Sequence, residues 1–325
     1  MRPFEYERAE DPAGALATIA RPGTAFLAGG TNLVDLMKLG VATPDRLVDL
    51  GDLPYDEIEV PAEGGLRIGA LVSNSDLATH DEVRSRYPAV AQAVLAGASG
   101  QLRNRATVGG NLLQRTRCRY FQDVTKACNK RAPGTGCDAR DGEHHDLAIL
   151  GASPQCIATN PSDLAVALSV MDASVHYLGP HGPAAVSVHD LFRRPGDRPD
   201  RDTNLPPGSL ITGVVLPECP LAAGSRYRKV RDRASFAFAA GSIAAALDVR
   251  DGLVHDVRIA WGAVAHLPWR TWALERALRG APARAESYAR AAEAELAAAK
   301  PLRDNGYKIP LLRNLTVELL EAMTP

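Results

Sequence analysis

Short apolar runs separated by polar turns dominate the first third of the chain. Residues 11–20 have the spacing of a short helix, with an acidic N-cap and a proline in the first turn. Residues 25–28 form an apolar run typical of a buried strand, and residues 33–39 return to helical spacing after a polar turn. Because residues 46–50 again have the character of a strand, the pattern predicts a compact strand–turn–helix–strand beginning.

The pattern then changes twice. Residues 66–70 predict a strand and residues 75–95 a helical stretch, and a polar, glycine-containing loop follows at 98–111. Residues 115–146 have almost no periodic apolar positions and are rich in Arg, Lys, Cys, Gly and Asp. A segment this long without secondary structure is uncommon inside a compact domain. Something other than a hydrophobic core must therefore order it.

Regular elements return in the second half of the chain. Periodicity predicts a helix at 163–171, strands at 173–178 and 210–216, a hairpin of 242–249 and 253–260, and helices near 268–279, 282–299 and 310–323. An exposed loop rich in Pro, Arg and Asp interrupts them at 193–208, and Asp251-Gly252 is the hairpin turn. The pattern of apolar and polar residues changes after the strand at 210–216, and this change predicts a domain boundary near residue 220.

Composition and charge narrow the class of protein. The chain has 325 residues, which suits two domains better than one. A formal net charge of -1 gives no bulk electrostatic case for nucleic-acid or membrane binding, and no apolar run approaches the ~20 residues of a membrane span. The N-terminal residues lack the apolar core of a signal peptide. We therefore expect a cytoplasmic protein, or a periplasmic one if a signal-bearing partner is exported with it.

Two glycine turns are the first candidate binding sites in the sequence. Gly29-Gly30-Thr31-Asn32 joins a predicted strand to a helix start, where free backbone N–H groups and the helix dipole favour an anion. Alone it is an ordinary tight turn, and it lacks the GxGxxG fingerprint of a nicotinamide site. Thr107-Val108-Gly109-Gly110-Asn111 repeats the same chemistry. Two such loops suggest a diphosphate held from two sides, although two unrelated turns remain an alternative.

Four of the five cysteines lie close together in the chain. Cys118, Cys128, Cys137 and Cys156 have the spacing C-x9-C-x8-C-x18-C, which lacks the C-x2-C pairs usual in zinc sites. Basic neighbours would stabilise thiolates and offset the charge of an iron–sulfur cluster: Arg117, Arg119, Lys126, Lys130 and Arg131. A zinc site and unpaired cysteines in a solvated loop are the alternatives. His144 and His145 are not needed as ligands, and Cys219 is interpreted as a bystander.

Three motifs together resemble a known family. The segment 27–33 (LAGGTNL), the segment 102–112 (LRNRATVGGNL) and Pro161-Ser162-Asp163 are similar to the medium, FAD-binding subunit of the xanthine dehydrogenase, or molybdenum hydroxylase, family. The similarity continues through 227–231 (YRKVR) and covers essentially the whole chain. The cysteine pattern further resembles the aldehyde-oxidoreductase branch, in which an inserted loop carries a [4Fe-4S] cluster. Leu147 stands where we expect a histidine in that loop.

The resemblance implies a fold and a set of site residues. The fold is α+β: a vanillyl-alcohol-oxidase-type FAD-binding domain over 1–220, with subdomains of about 1–55 and 56–220 and a cluster loop at 115–156, and then a smaller domain over 221–325. The implied FAD-binding residues are Leu27, Ala28, Gly29, Gly30, Thr31, Asn32, Leu33, Ala98, Ser99, Thr107, Gly109, Gly110, Asn111, Asp163, Ile211 and Lys229. Of these, Ile211 and Lys229 would lie near the isoalloxazine. The implied ligands of the [4Fe-4S] cluster are Cys118, Cys128, Cys137 and Cys156.

The implied function is electron transfer within a heterotrimer. Electrons from substrate oxidation at a molybdenum cofactor in a large subunit would pass through [2Fe-2S] clusters in a small subunit to this FAD, and then to an external acceptor. No general base is assigned. Two alternatives remain: a free-standing FAD-dependent oxidoreductase with a structural zinc loop, and a nucleotide-binding assembly module.

Overall fold

The first layer of the computed structural model, which describes all 325 residues, is a small parallel sheet. Its strands are β1 (Glu5–Arg8), β2 (Thr24–Leu27) and β3 (Arg46–Asp49), in the order β1-β3-β2. Helix α1 (Pro12–Ile19) connects β1 to β2, and helix α2 (Leu33–Lys38) connects β2 to β3. Parallel strands need such crossover connections because the chain must return to the same end of the sheet before the next strand begins. The predicted strand–turn–helix–strand beginning is confirmed.

A five-stranded antiparallel sheet forms the second layer. Its strands are β4 (Ile58–Glu59), β5 (Leu66–Gly69), β6 (Ser174–Gly179), β7 (Gly182–Ser187) and β8 (Leu210–Leu216), in the order β4-β5-β8-β6-β7. The main hydrophobic core lies between this sheet and the helices that follow β5. The helices that follow β5 are α3 (Asn74–Thr79), α4 (Asp81–Arg86), α5 (Pro88–Ala96), α6 (Gly100–Arg103), α7 (Val108–Leu112), α8 (Arg119–Gln122), α9 (Asp163–Val170) and α10 (Val188–Leu191). Of these, α6 has no buried residue, and α8 packs with the cysteine-rich loop instead of the main core.

The helical stretch predicted over 75–95 is helical in the structure, but it is divided into α3, α4 and α5. The first break is at His80, whose ψ of 128° is extended. The second is at Tyr87, which precedes Pro88 and has a φ of −135°. A proline disfavours helical geometry in the residue before it, so a new helix begins at the proline. Side-chain periodicity alone did not reveal these breaks because all three helices bury apolar faces in the same core.

The C-terminal part is a four-stranded antiparallel sheet covered by helices. Its strands are β9 (Arg226–Val230), β10 (Gly241–Arg250), β11 (Leu253–Gly262) and β12 (Trp269–Arg270), in the order β12-β11-β10-β9. Its helices are α11 (Trp272–Leu278), α12 (Ala285–Leu296) and α13 (Lys308–Glu321). The predicted hairpin turn is confirmed: Asp251 and Gly252 both have positive φ, as a two-residue turn between twisted strands requires. A second core lies between sheet and helices.

The cysteine-rich loop has almost no regular structure, as predicted, yet it is well packed. The N–H groups of Ile149 and Leu150 both donate to the carbonyl of Val264, at 3.0 Å each. The side chain of Asn305, which is fully buried, donates to the carbonyls of Leu147 and Ala148. The loop is therefore fastened to the C-terminal sheet and helices. With mostly antiparallel sheets and separate helical layers, the expected α+β fold is confirmed, and no helix combines the length and apolarity needed to cross a membrane.

Candidate functional site

The two glycine loops pack directly against each other. A Cβ on Gly29 would lie 1.8 Å from the carbonyl oxygen of Arg105, so only glycine permits this contact. Gly30 has a φ of +75°, a conformation that glycine adopts without strain and that turns the chain into α2. The sequence predicted two similar glycine turns, and the structure places them side by side in one wall of the candidate site.

Hydrogen bonds fix the second loop and connect it to α9. The Thr107 hydroxyl caps α7 by accepting from the N–H of Gly110 at 3.2 Å. The Asn111 side-chain oxygen accepts from the Ser162 hydroxyl at 2.7 Å. That same hydroxyl oxygen accepts from the N–H of Ala165 at 3.0 Å and so caps α9. The Pro-Ser-Asp step and the second glycine loop thus form one rigid unit.

Two cavities meet at the glycine loops. The first, which we call the apolar cavity, has a volume of about 280 Å³. Its apolar lining includes Phe26, Leu33, Leu36, Leu71, Leu113 and Ile211. The second, which we call the polar cavity, has a volume of about 360 Å³. Its lining includes Asn74, Ala98, Asn111, Arg117, Asp163 and Lys229. Thr31, Asn32 and Gly110 line both, so a ligand with two ring systems joined by a linker could span them.

Two buried amide groups in these walls lack a partner within the protein. The Nδ2 of Asn32 is buried without an acceptor, while its Oδ1 accepts from the backbone N–H of Arg115 at 3.0 Å. The Oδ1 of Asn74 is buried without a donor. Buried polar atoms are almost always hydrogen-bonded, so each unmet group requires a ligand or a bound water as its partner. A donor where both cavities meet fits an anionic linker such as a pyrophosphate.

A buried ion pair forms one side of the polar cavity. The Lys229 Nζ lies 2.8 Å from an Asp163 carboxylate oxygen and 3.3 Å from the carbonyl of Ala96. The Tyr227 hydroxyl donates to the other oxygen of Asp163. Burial, and then the charge of Asp163, raise the pKa of Tyr227 well above its usual value, so this phenol stays protonated. The three side chains form one hydrogen-bonded group in the wall of the polar cavity.

The cavities contain most of the residues that the resemblance implies. The predicted residues that line one cavity or both are Ala28, Gly29, Gly30, Thr31, Asn32, Leu33, Ala98, Thr107, Gly109, Gly110, Asn111, Asp163, Ile211 and Lys229. Leu27 and Ser99 line neither. Ser99 instead caps α6 by accepting from the N–H of Leu102. Ile211 lines the apolar cavity and Lys229 lines the polar one.

Sequence reasoning missed several residues of the polar cavity. Asn74 lies at the start of α3, and Phe236 and Phe238 lie in an irregular loop after β9. Phe236 has a φ of +52°, and the Phe238 ring lies 4.9 Å from the guanidinium of Arg117. The rings are 55% and 50% exposed, so they form a rim and not a core. Their only signal in the sequence was two large apolar residues inside a polar loop.

The four clustered cysteines converge in a small core of their own. Cys118, Cys128 and Cys156 are buried there with Phe121, and Cys137 packs against them from a half-buried position. Cys128 and Cys137 face each other in an isolated antiparallel bridge. Burial raises the pKa of Cys118 to about 11 and of Cys156 to about 12, so both thiols are protonated near neutral pH. None of the four cysteines forms a disulfide.

Backbone N–H groups face two of the four cysteine sulfurs. Backbone N–H groups of Tyr120 and Phe121 face the Cys118 sulfur, and that of Ala158 faces Cys156, as in iron–sulfur sites where such donors stabilise thiolates. Four sulfurs on one zinc ion lie about 3.8 Å apart, from Zn–S bonds of about 2.3 Å. No three Cys, His, Asp or Glu side chains in the chain are grouped closely enough to bind a single metal ion.

The basic neighbours of the cysteines have different roles. Arg131 donates to the carbonyls of Tyr120 and Phe121 and so holds the loop in shape. Arg119 and Lys126 are exposed, whereas Lys130 is buried. The two histidines of this loop make contacts of their own: the His144 Nδ1 accepts from the backbone N–H of Asp304, and His145 stacks on Tyr307.

Two family models identify the class of protein. A family model described as "FAD binding domain in molybdopterin dehydrogenase" matches residues 2–219, and one described as "CO dehydrogenase flavoprotein C-terminal domain" matches residues 225–323. The chain belongs to this family of FAD-binding subunits of the molybdenum hydroxylases. The predicted family, FAD as cofactor and the function of an oxidoreductase subunit are confirmed, and the alternative of a free-standing oxidoreductase is not supported.

Individual relatives agree with the family models. The chain is 48% identical over 323 residues to the aldehyde oxidoreductase FAD-binding subunit PaoB of Escherichia coli K12, covering 98% of both chains. It is 28% identical over 280 residues to the glyceraldehyde dehydrogenase medium chain of Sulfolobus acidocaldarius, covering 85% of this chain and 81% of that one. Among solved structures, quinoline 2-oxidoreductase from Pseudomonas putida 86 shares the fold with a TM-score of 0.76 at 21% identity, covering 99% of this chain and 97% of that one.

Proposed function

We propose that the chain is an electron-transfer subunit of a molybdenum-dependent aldehyde oxidoreductase and carries one FAD and one [4Fe-4S] cluster. Electrons would arrive from [2Fe-2S] clusters on a partner and leave to an external acceptor. The observation that carries the flavin part is the buried, unpartnered Nδ2 of Asn32 where two cavities meet. The 48% identity to an aldehyde oxidoreductase subunit supports the substrate class of the complex.

The two cavities suggest how FAD would lie. Its adenine would enter the apolar cavity beside Ile211, and its pyrophosphate would face Asn32 and the N–H groups of the glycine loops. Its isoalloxazine would then lie in the polar cavity, against the Asp163–Lys229 pair. When bound, the flavin supplies the chemistry of a junction that accepts single electrons and delivers one or two. The protein's residues position it, and Phe236 and Phe238 partly shield it from water.

We propose Cys118, Cys128, Cys137 and Cys156 as the ligands of the [4Fe-4S] cluster. Their shared buried core and the N–H groups that face two of the sulfurs support a thiolate-bound centre. The cysteine spacing, which lacks C-x2-C pairs, favours the cluster over zinc. Arg117 precedes the first ligand and also lines the polar cavity. The cluster would therefore lie beside the flavin, a position consistent with a place on the electron path.

The assembly follows from the same assignment. We propose a heterotrimer with a molybdenum-cofactor large subunit and a [2Fe-2S] small subunit, since several relatives are named as subunits or medium chains. The FAD-binding domain would cover residues 1–220, in subdomains of about 1–55 and 56–220, and the C-terminal domain 221–325. The compartment would be that of the complex, cytoplasmic or, with a signal-bearing partner, periplasmic.

A matched pair of cysteine substitutions tests the proposal. Cys128→Ser removes one proposed ligand, and Cys219→Ser removes the cysteine outside the group. In the complex purified without oxygen, we expect Cys128→Ser to lose broad iron–sulfur absorption and about four irons per chain while keeping FAD. Cys219→Ser should match the unsubstituted complex. Equal iron content in the two variants, or zinc in place of iron, would overturn the cluster assignment.

A further inference from the structure

A chain of hydrogen bonds runs from the first glycine loop to the cysteine-rich loop. It begins where the backbone N–H of Arg115 donates to the Asn32 side chain at 3.0 Å. The Arg115 guanidinium donates to Asp202 at 2.7 Å, and the Lys130 Nζ donates to the other carboxylate oxygen of Asp202 and, at 2.9 Å, to the carbonyl of Pro199. We call Arg115, Asp202 and Lys130 the charge bridge. It connects a wall of the flavin cavities to the residue two positions after Cys128.

The charge bridge contains two cations and one carboxylate, and its Lys130 end is the most buried. The Lys130 side chain is 3% exposed, whereas Asp202 and Arg115 are 34% and 30% exposed. One carboxylate therefore serves two cations. Burial alone would raise the pKa of Asp202, but Lys130 and Arg115 bring it below its usual value, so the carboxylate is ionised. Since Lys130 is the least solvated member, its charge is the least screened by water.

Lys130 has one ion-pair partner, Asp202. His266 lies nearby, buried, with both ring nitrogens unpartnered, at a cavity of about 270 Å³ that Lys130, Asp202 and Arg115 also line. Burial and then the charge of Lys130 lower the pKa of His266 to about 3, so its ring is neutral. On the cysteine side, Lys130 lies two residues after Cys128 and is itself buried. Its ammonium is paired with a single carboxylate, that of Asp202.

We propose that Lys130 is a positioning residue whose buried charge raises the reduction potential of the centre bound by the four cysteines, and that Asp202 limits this effect. The inference rests on the proposed function, because it requires the [4Fe-4S] cluster. Reduction adds one negative charge to a cluster, and a nearby fixed cation stabilises that added charge. Asp202 withdraws part of the stabilisation because it lies against the same ammonium group.

Two substitutions with opposite expected signs test this assignment. Lys130→Met removes the cation and keeps an unbranched apolar stem of similar length, so we expect a lower midpoint potential. Asp202→Asn removes the opposing carboxylate, so we expect a higher one. Each shift should change the equilibrium between oxidised and reduced cluster at least tenfold, which is about 59 mV for one electron. The measurement is a redox titration of the purified complex, followed by the electron paramagnetic resonance signal of the reduced cluster.

Lys126→Met is the matched control, because Lys126 lies in the same loop and is fully solvated. It should leave the midpoint potential unchanged. Lys130→Arg keeps a cation at this position and should therefore keep the wild-type potential. FAD absorbance should persist in every variant. Shifts of the same sign in Lys130→Met and Asp202→Asn, or no shift in either, would overturn the role of Lys130 alone. If Lys130→Met does not fold, the sign of the shift in Asp202→Asn decides. A wild-type complex without this cluster would overturn the proposed function as well.

Discussion

Lys229 and Asp163 form an ion pair in which both side chains are almost fully buried, at 3% and 11% exposure. The lysine comes from β9 and the aspartate from the start of α9, so the pair connects the C-terminal sheet to the FAD-binding domain across the polar cavity. Removing one member of a buried pair leaves the other charge uncompensated, which costs far more than losing an exposed pair. The pair therefore contributes to both the fold and the cofactor wall.

Lys229→Met should lower the free energy of unfolding by about 3–5 kcal/mol and weaken FAD binding, because Asp163 is left unpaired in the wall. Denaturant unfolding and release of FAD fluorescence measure the two effects. The control is Arg228→Met on the neighbouring residue, whose partner Glu318 is 63% exposed. That change should cost under about 1 kcal/mol. Comparable losses in the two variants would contradict a special role for the buried pair.

Gly29→Ala should separate the two glycine loops. The new Cβ would meet the Arg105 carbonyl oxygen at 1.8 Å, so one loop must move. We expect a destabilisation of about 1–3 kcal/mol, typical of overpacking, together with loss of bound FAD. Gly224→Ala, at a position with open space around the added carbon, should keep full flavin content. Retention of FAD in Gly29→Ala would show that the loops need not touch to bind it.

Asn32→Asp isolates the unpartnered donor. The substitution preserves an acceptor for the N–H of Arg115 but replaces the Nδ2 donor with a carboxylate oxygen, which repels a pyrophosphate. We expect FAD affinity to fall at least tenfold, or about 1.4 kcal/mol, in a fluorescence titration of the apoprotein. Asn314→Asp, on the exposed face of α13, should leave affinity unchanged. Unchanged affinity in Asn32→Asp would mean that the pyrophosphate lies elsewhere.

Lys308 gives the chain a defined pH dependence of stability. Its ammonium is buried and donates to the carbonyl of Ala263 at 2.7 Å, and burial lowers its pKa from 10.5 to about 8. Between these values the unfolded chain binds more protons than the folded one, so this group's contribution to stability rises with pH from about 8 to 10.5. Below about pH 8 both states are protonated, and burial of the charge has its full cost.

The test is the difference in unfolding free energy between wild type and Lys308→Met across pH 7 to 10.5, since subtraction removes the other titrating groups. The wild type should gain relative to the variant as the pH passes through this window. Lys300→Met, at an exposed lysine, should show a flat difference. A flat difference for Lys308→Met would place its pKa near the ordinary value.

The sequence was sufficient to predict those features of the fold and the site that depend on a few neighbouring residues. The glycine turns, the capped start of α9 at Asp163 and the hairpin at Asp251-Gly252 each depend on a few neighbouring residues, and the four cysteines identified their own loop. The contact of Gly29 with Arg105 and the unmet Asn74 depend on how distant segments pack, so spacing could not reveal them. The same holds for the charge bridge, whose members are separated by up to 87 residues.

The measurement that tests the central claim most directly is the cofactor content of the wild-type chain, purified without oxygen within its complex and then separated from its partners. The account predicts one FAD per chain, with about four irons and four acid-labile sulfides that depend on Cys118, Cys128, Cys137 and Cys156. A fully folded chain that contains flavin but no iron would contradict the cluster. A fully folded chain without flavin would contradict the account as a whole.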